Sequence, residues 1–155
     1  MNSIKNEYSL NGLNYQTEFK SGLATSFKIG AGITNQFALY FVRNASWFST
    51  TNAGVNKDAT AVVGISGIGA SYFFAPASPS GYMLAAIGGS DYALPLESNV
   101  TTRTGRAFML GGGYEFSRHL MLEGTLLATS ATDPNFTAFK TQSSTLQITL
   151  NYMFY

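Results

Sequence analysis

Along much of this chain apolar residues recur at every second position, for about ten residues at a time, rather than at helical spacing. Between 22 and 33, Leu23, Phe27, Ile29, Ala31 and Ile33 share one face, while Ala24, Ser26, Lys28, Gly30 and Gly32 share the other. Between 107 and 116, Phe108, Leu110, Tyr114 and Phe116 oppose Met109, Gly111, Gly113 and Glu115. Next, Leu120, Leu122, Leu126 and Ala128 oppose Met121, Glu123 and Thr125. The final stretch sets Leu146, Ile148, Leu150, Tyr152 and Phe154 against Gln147, Thr149, Asn151 and Met153. Each reads as a strand with one greasy face and one small or polar face. Less regular segments near 4–15, 37–48, 60–74 and 81–90 bring the expected count to eight. In the second of these the phases conflict, because Phe37, Leu39 and Phe41 fall in step with Arg43. A bulge or outward-facing Tyr40 and Val42 would resolve the conflict, and we place Arg43 inward.

The connections alternate in length. Short links are expected at 34–36, 75–80 and 117–119, and longer polar ones at 16–21, 49–59, 91–104 and 130–143. The long set holds more than half of the 17 charged residues, the short set only Arg118. One end of the molecule is therefore compact and the other elaborated. In hydrocarbon every backbone N–H and C=O must be paired within the protein, so a sheet crosses a bilayer only as a closed barrel. An even number of antiparallel strands, greasy outside, with short turns at one end and long loops at the other, predicts an all-β, eight-stranded, up-and-down transmembrane β-barrel.

Composition agrees. Charged residues make up 11% of the chain, under half of the ~25% of ordinary soluble domains. The 155 residues suit a single domain, 1–155, and 22 aromatic side chains exceed what a small soluble core readily uses. A net charge of +1 argues against nucleic acid as a partner. Without cysteine there is no disulfide and no thiolate chemistry. The uncharged run 59–90 is too rich in Gly, Ser and Pro for a spanning helix. The opening MNSIKNEYSL has no apolar signal-peptide core, so an exported protein would be present here in mature form.

The stretch GGGYEFSRHLMLEG, a Gly-rich strand ending in Gly-Tyr-x-Phe, a tight polar turn, then Leu-x-Leu-Glu, resembles the penultimate hairpin of the small bacterial outer-membrane barrels of the outer-membrane protein A and OmpX type. The ending Tyr152-Met153-Phe154 resembles the signal that such proteins present to the barrel-assembly machinery, with Leu150, Tyr152, Phe154 and Tyr155 as its candidate residues; Tyr155 extends one residue past the usual stop. The resemblance implies the outer membrane as location, with the bilayer and lipopolysaccharide as surroundings. It also implies a non-enzymatic structural or surface-interaction role, with a protein or ligand at the long loops.

Four charged residues, Lys28, Arg43, Glu115 and Glu123, are expected inside the barrel as a mutually compensating network. Such a plug disfavours the alternative of a transporter for small hydrophobic molecules of the OmpW type, which needs a greasy passage. His119 is the single histidine and falls in a short turn. Its neighbours do not resemble the motif of lipid A deacylases, so no catalytic residue is assigned. The glycines at 111–113 lack the following helix of a phosphate loop and are read as wall-shaping. No metal site and no cofactor are expected. A soluble, lipocalin-like barrel remains as a third class, disfavoured by the low charge. Tyr72, Phe73, Phe74, Tyr82, Tyr114, Phe116, Tyr152 and Phe154 are expected as an interfacial girdle at the short-turn end.

Overall fold

The computed structural model describes residues 2–10, 13–52, 57–97, 101–135 and 138–152. They form eight antiparallel strands in chain order, β1 (Asn2–Leu10), β2 (Leu13–Gly32), β3 (Phe37–Asn52), β4 (Lys57–Phe73), β5 (Ser80–Ala93), β6 (Arg103–Ser117), β7 (Leu120–Thr132) and β8 (Phe139–Tyr152). Each strand pairs with the next, and β1 pairs with β8, so the sheet is a closed barrel. β1 spans the upper part of the wall: its pairing begins at Asn2, opposite Gly22 on β2 and Gln147 on β8. Below that row β2 and β8 approach one another, and the Asn2 side-chain amide donates to the Leu23 carbonyl at 2.8 Å.

The short turns, at what we term the lower end, owe their shape to local side-chain chemistry. Thr34 Oγ1 accepts from the backbone N–H groups of Gln36 at 3.2 Å and Phe37 at 3.0 Å, closing the β2–β3 turn. Ser80 Oγ accepts from the Ala75 N–H at 2.9 Å in the β4–β5 turn. The two-residue β6–β7 turn places His119 at φ 76°, the left-handed conformation that tight hairpins demand.

Alternation sorts the residues to two faces. Leu23, Phe27 and Ile29, then Leu110, Leu122, Leu126, Leu146, Ile148 and Leu150, are exposed on the outer wall. Lys28, Met109, Glu115, Met121, Glu123, Gln147 and Thr149 are buried inside. The lumen is filled in layers. A lower cluster including Tyr40, Val42, Ile65, Phe73, Tyr82, Met109 and Met121 is separated by polar side chains from an upper one around Ile4, Phe48, Val63 and Tyr92.

Three expectations are corrected. The first link is not 16–21: β1 ends at Leu10 and β2 already begins at Leu13; the other three long links lie where expected but are shorter, since the strands run on through 49–52, 57–59, 91–93, 103–104, 130–132 and 139–143. These stretches look like loops because polar residues occupy both registers above the apolar belt, with Phe19 the one apolar residue between 16 and 21, which erases the alternation while the pairing continues. Arg43 is not inside. β3 runs without a bulge, Tyr40, Val42 and Asn44 point inward, and Arg43 shares the outer face with Leu39, Phe41 and Trp47. Finally, Phe73 and Tyr82 are not in the girdle; they are buried in the lumen with ring centroids 5.2 Å apart. The outer aromatics at this end are Tyr72 with Phe74 and Tyr114 with Phe116, two edge-on pairs, together with Tyr152.

Candidate functional site

Of the four expected interior charges, the barrel brings two into direct contact. Lys28 on β2 forms a buried ion pair across the lumen with Glu123 on β7. The Tyr82 hydroxyl donates to the same carboxylate oxygen at 2.8 Å, and the Lys28 ammonium lies 5.3 Å from the centroid of the Tyr40 ring. Tyr40 is held in turn by Ser71, whose hydroxyl donates to the Tyr40 oxygen at 3.1 Å. One glycine makes the cluster possible. Tyr82, Gly113 and Glu123 occupy one transverse row on β5, β6 and β7, and a Cβ at Gly113 would stand 2.7 Å from the Tyr82 oxygen. Without that side chain the phenol reaches over β6 to the carboxylate.

Glu115 is also buried but works separately, nearer the lower mouth. It accepts from Ser78 Oγ at 2.6 Å and from the His119 N–H at 3.1 Å, tying the β4–β5 turn to the β6–β7 turn. Arg43, outside, forms a two-pronged ion pair with Asp91 of β5, at 2.6 and 2.7 Å. The guanidinium passes over β4 at Gly64, where a Cβ would lie 2.7 Å from its nitrogen. The expected single network is thus three separate contacts, two inside and one outside.

Higher in the lumen the partners are neutral. The Gln147 amide donates to Ser46 Oγ at 2.6 Å, Thr125 Oγ1 donates to the Gln147 carbonyl oxygen at 3.3 Å, and Ser143 donates to Asn6 at 2.6 Å. At the top, Arg103 donates to Thr141 at 2.7 Å, sits 3.6 Å from Asp133 and lies over the Tyr92 ring. Of the candidate assembly signal, Leu150 and Tyr152 are exposed on the outer wall, while Phe154 and Tyr155 lie outside the described residues. Tyr82 and Asp91 were missed from sequence for different reasons. Both faces of 81–87 are apolar, so alternation does not single out Tyr82, and Asp91 falls past the expected end of its strand.

The arrangement packs and braces. The described residues hold no cluster of three or more His, Cys, Asp or Glu able to bind a metal. His119 sits at the lower rim with its ring 5.7 Å from that of Tyr152. No protein-family model matches the sequence, and no curated protein does. Among solved structures, Neisserial surface protein A superposes with a TM-score of 0.56 at 13% identity, over 97% of this chain and 94% of that one. Ail, the attachment invasion locus protein of Yersinia pestis, superposes with a TM-score of 0.51 at 13% identity, over 97% of each chain. The chain has the fold of the small eight-stranded outer-membrane barrels. The likeness is to these barrels as a class.

Truncating one partner of a buried pair strands the other, so Glu123→Leu should lower stability in detergent micelles by ~3–5 kcal/mol in urea unfolding. Lys28→Met added to Glu123→Leu should recover most of the loss. A single variant as stable as the double would mean that the two charges are not coupled.

Proposed function

We propose that this chain is an integral protein of the bacterial outer membrane, a non-enzymatic barrel with a structural or surface-interaction role. The observation that carries this reading is the outer belt. From Leu23 on β2 to Ile33, the residue just past its end, the outward side chains are Leu, Thr, Phe, Ile, Ala and Ile. Ten residues at about 3.3 Å each, tilted by about 40°, amount to about 25 Å of height, the height of the apolar band of transmembrane barrels. The belt continues through Phe41, Ile68, Ile87, Leu110, Leu122 and Ile148, and ends below in the exposed aromatics Tyr72, Phe74, Tyr114, Phe116 and Tyr152. Its polar side chains are few. Thr25 accepts from the Trp47 indole N–H at 2.9 Å, Arg43 is neutralised by Asp91, and Ser66 is small.

Above the belt the strands carry on with outer faces that are mostly polar, Leu13 and Phe19 of β2 excepted, and connect through 11–12, 53–56, 94–102 and 133–138. On this reading the upper barrel and its loops stand in the extracellular space and are the part available to partners, and the lower turns face the periplasm. The packed lumen, with Lys28–Glu123 crossing it, supports a structural barrel over a passage for hydrophobic molecules. Delivery by the barrel-assembly machinery rests on the C-terminal alternation Leu150, Tyr152, Phe154, Tyr155.

Ile148→Arg on β8, at mid-belt, should destabilise the bilayer-inserted protein by ~2–4 kcal/mol, whereas Thr104→Arg on β6, above the belt, should change it by less than about 1 kcal/mol. Guanidinium unfolding from lipid vesicles measures both, and equal effects would remove the membrane reading. In planar bilayers the monomer should give small conductance or none, and large, stable openings would defeat the packed-lumen reading. A chain lacking residues 152–155 should fail to accumulate as folded, heat-modifiable barrel in cells; normal accumulation would dismiss the assembly role.

A further inference from the structure

On the outer wall, two neighbouring transverse rows cross β6, β7, β8 and β1 just above the apolar belt. The upper row runs from Arg106 through Ser130 and Gln142 to Glu7, which also lines the groove, and the lower one from Phe108 through Ala128 and Ser144 to Lys5. Ala128, Ser130 and Ser144 are small, so the wall sinks between Arg106 on one side and Lys5 on the other, leaving a groove of about 380 Å³. The next row down is Leu110, Leu126 and Leu146, all exposed. A polar, cationic recess thus sits directly on top of a leucine surface.

The charges outside the barrel at this level are unevenly divided. Arg106 and Lys140 are exposed, and Lys5 carries Glu7 at 2.6 Å, so three cations face one carboxylate on the β6–β1 side. Around β3 to β5 the outward charges are Asp58 and the mutually neutralised Arg43–Asp91 pair. A planar guanidinium is suited to two-pronged binding of a phosphate, and the hydroxyls of Ser130 and Ser144 with the Gln142 amide supply further donors.

We propose that this groove binds the phosphorylated headgroup of an outer-leaflet glycolipid, anchored by Arg106, with the acyl chains lying down the wall over Leu110, Leu126 and Leu146. The proposal rests on the membrane reading above and adds to it a fixed lipid position on one side of the barrel. The charge of the groove matches a phosphate, and the leucines beneath it match a lipid rather than a free anion.

The test is native mass spectrometry of the full chain, released from nanodiscs containing either bis-phosphorylated lipid A or its dephosphorylated form, with insertion checked separately by heat-modifiable mobility. Wild type should retain the phosphorylated lipid about tenfold better than the dephosphorylated one. Arg106→Gln should abolish that preference, Ser130→Trp should do so by filling the groove with the charges left in place, and Arg118→Gln at the opposite mouth should leave it intact. Equal retention of the two lipids by an inserted wild-type barrel would overturn the site and leave the membrane reading standing. Failure to insert would overturn both. Complete displacement of the lipid by millimolar inorganic phosphate would overturn the lipid as occupant.

Discussion

Closure of the sheet, β1 against β8, is the constraint on which the rest of the structure depends. A strand surrounded by hydrocarbon has no water to satisfy an open edge, so its backbone groups must be met by neighbouring strands. Closing the ring fixes the alternation: what points outward on one strand points outward on its neighbours, and Ser3 opposite Leu146 obeys this as Leu110 opposite Leu126 does. It also fixes the scale of the interior. Eight strands enclose a space that side chains fill, so inward positions are bound to one another by volume as well as by polarity. Lys28 is tolerated there only because Glu123 lies across the lumen from it, and Tyr82 because its hydroxyl reaches the same carboxylate.

The barrel uses one device twice to join strands that are not neighbours. A long side chain crosses over an intervening strand at a glycine: Tyr82 over Gly113 inside, Arg43 over Gly64 outside. In each case the reach ends on a carboxylate two strands away, Glu123 or Asp91. A cross-strand pair braces one ladder, whereas these contacts span two, resisting shear between β3 and β5 on the outer face and between β5 and β7 on the inner one. Glycine here matters for close approach rather than for an unusual backbone conformation. The outer example also makes an arginine compatible with a lipid-facing wall, since the two-pronged contact neutralises the guanidinium where water is scarce.

Where alternation was legible in the sequence, it was so because the two faces met different surroundings. β2 below Gly22, β6, β7 and β8 have an apolar outside and a small or polar inside, and for these residues period 2 sufficed to assign faces, Lys28, Glu115 and Glu123 included. On β3 the rule misassigned Arg43, because an ion pair with Asp91 satisfies a charge on the greasy face and no local pattern announces the partner, 48 residues on. On β5, Tyr82, Leu84 and Ala86 face inward while Met83, Ala85 and Ile87 face outward, and two apolar faces leave nothing to read. The stretches 16–21 and 49–52 failed in the opposite sense: polar residues on both registers imitated loops although the strands continue. What escaped the sequence were pairings made by the register of the closed ring.

That continuation of the strands changes where recognition is best sought. A long mobile loop loses conformational freedom when it binds, and only the surplus of contact energy over that loss appears as affinity. Residues carried on paired strands have lost it already during folding. Above the belt of this barrel the outward side chains of β6, β7, β8 and β1 are held in transverse rows by backbone pairing on both sides, so Arg106 and Lys5 keep a fixed separation and the small residues between them keep a fixed floor. Rigid elements hold such a constellation more closely than loops do. The extended upper wall, which in the sequence resembles a set of loops, is in this respect the more organised surface, and its chemistry changes from leucine at 110 to arginine at 106 within four residues along β6.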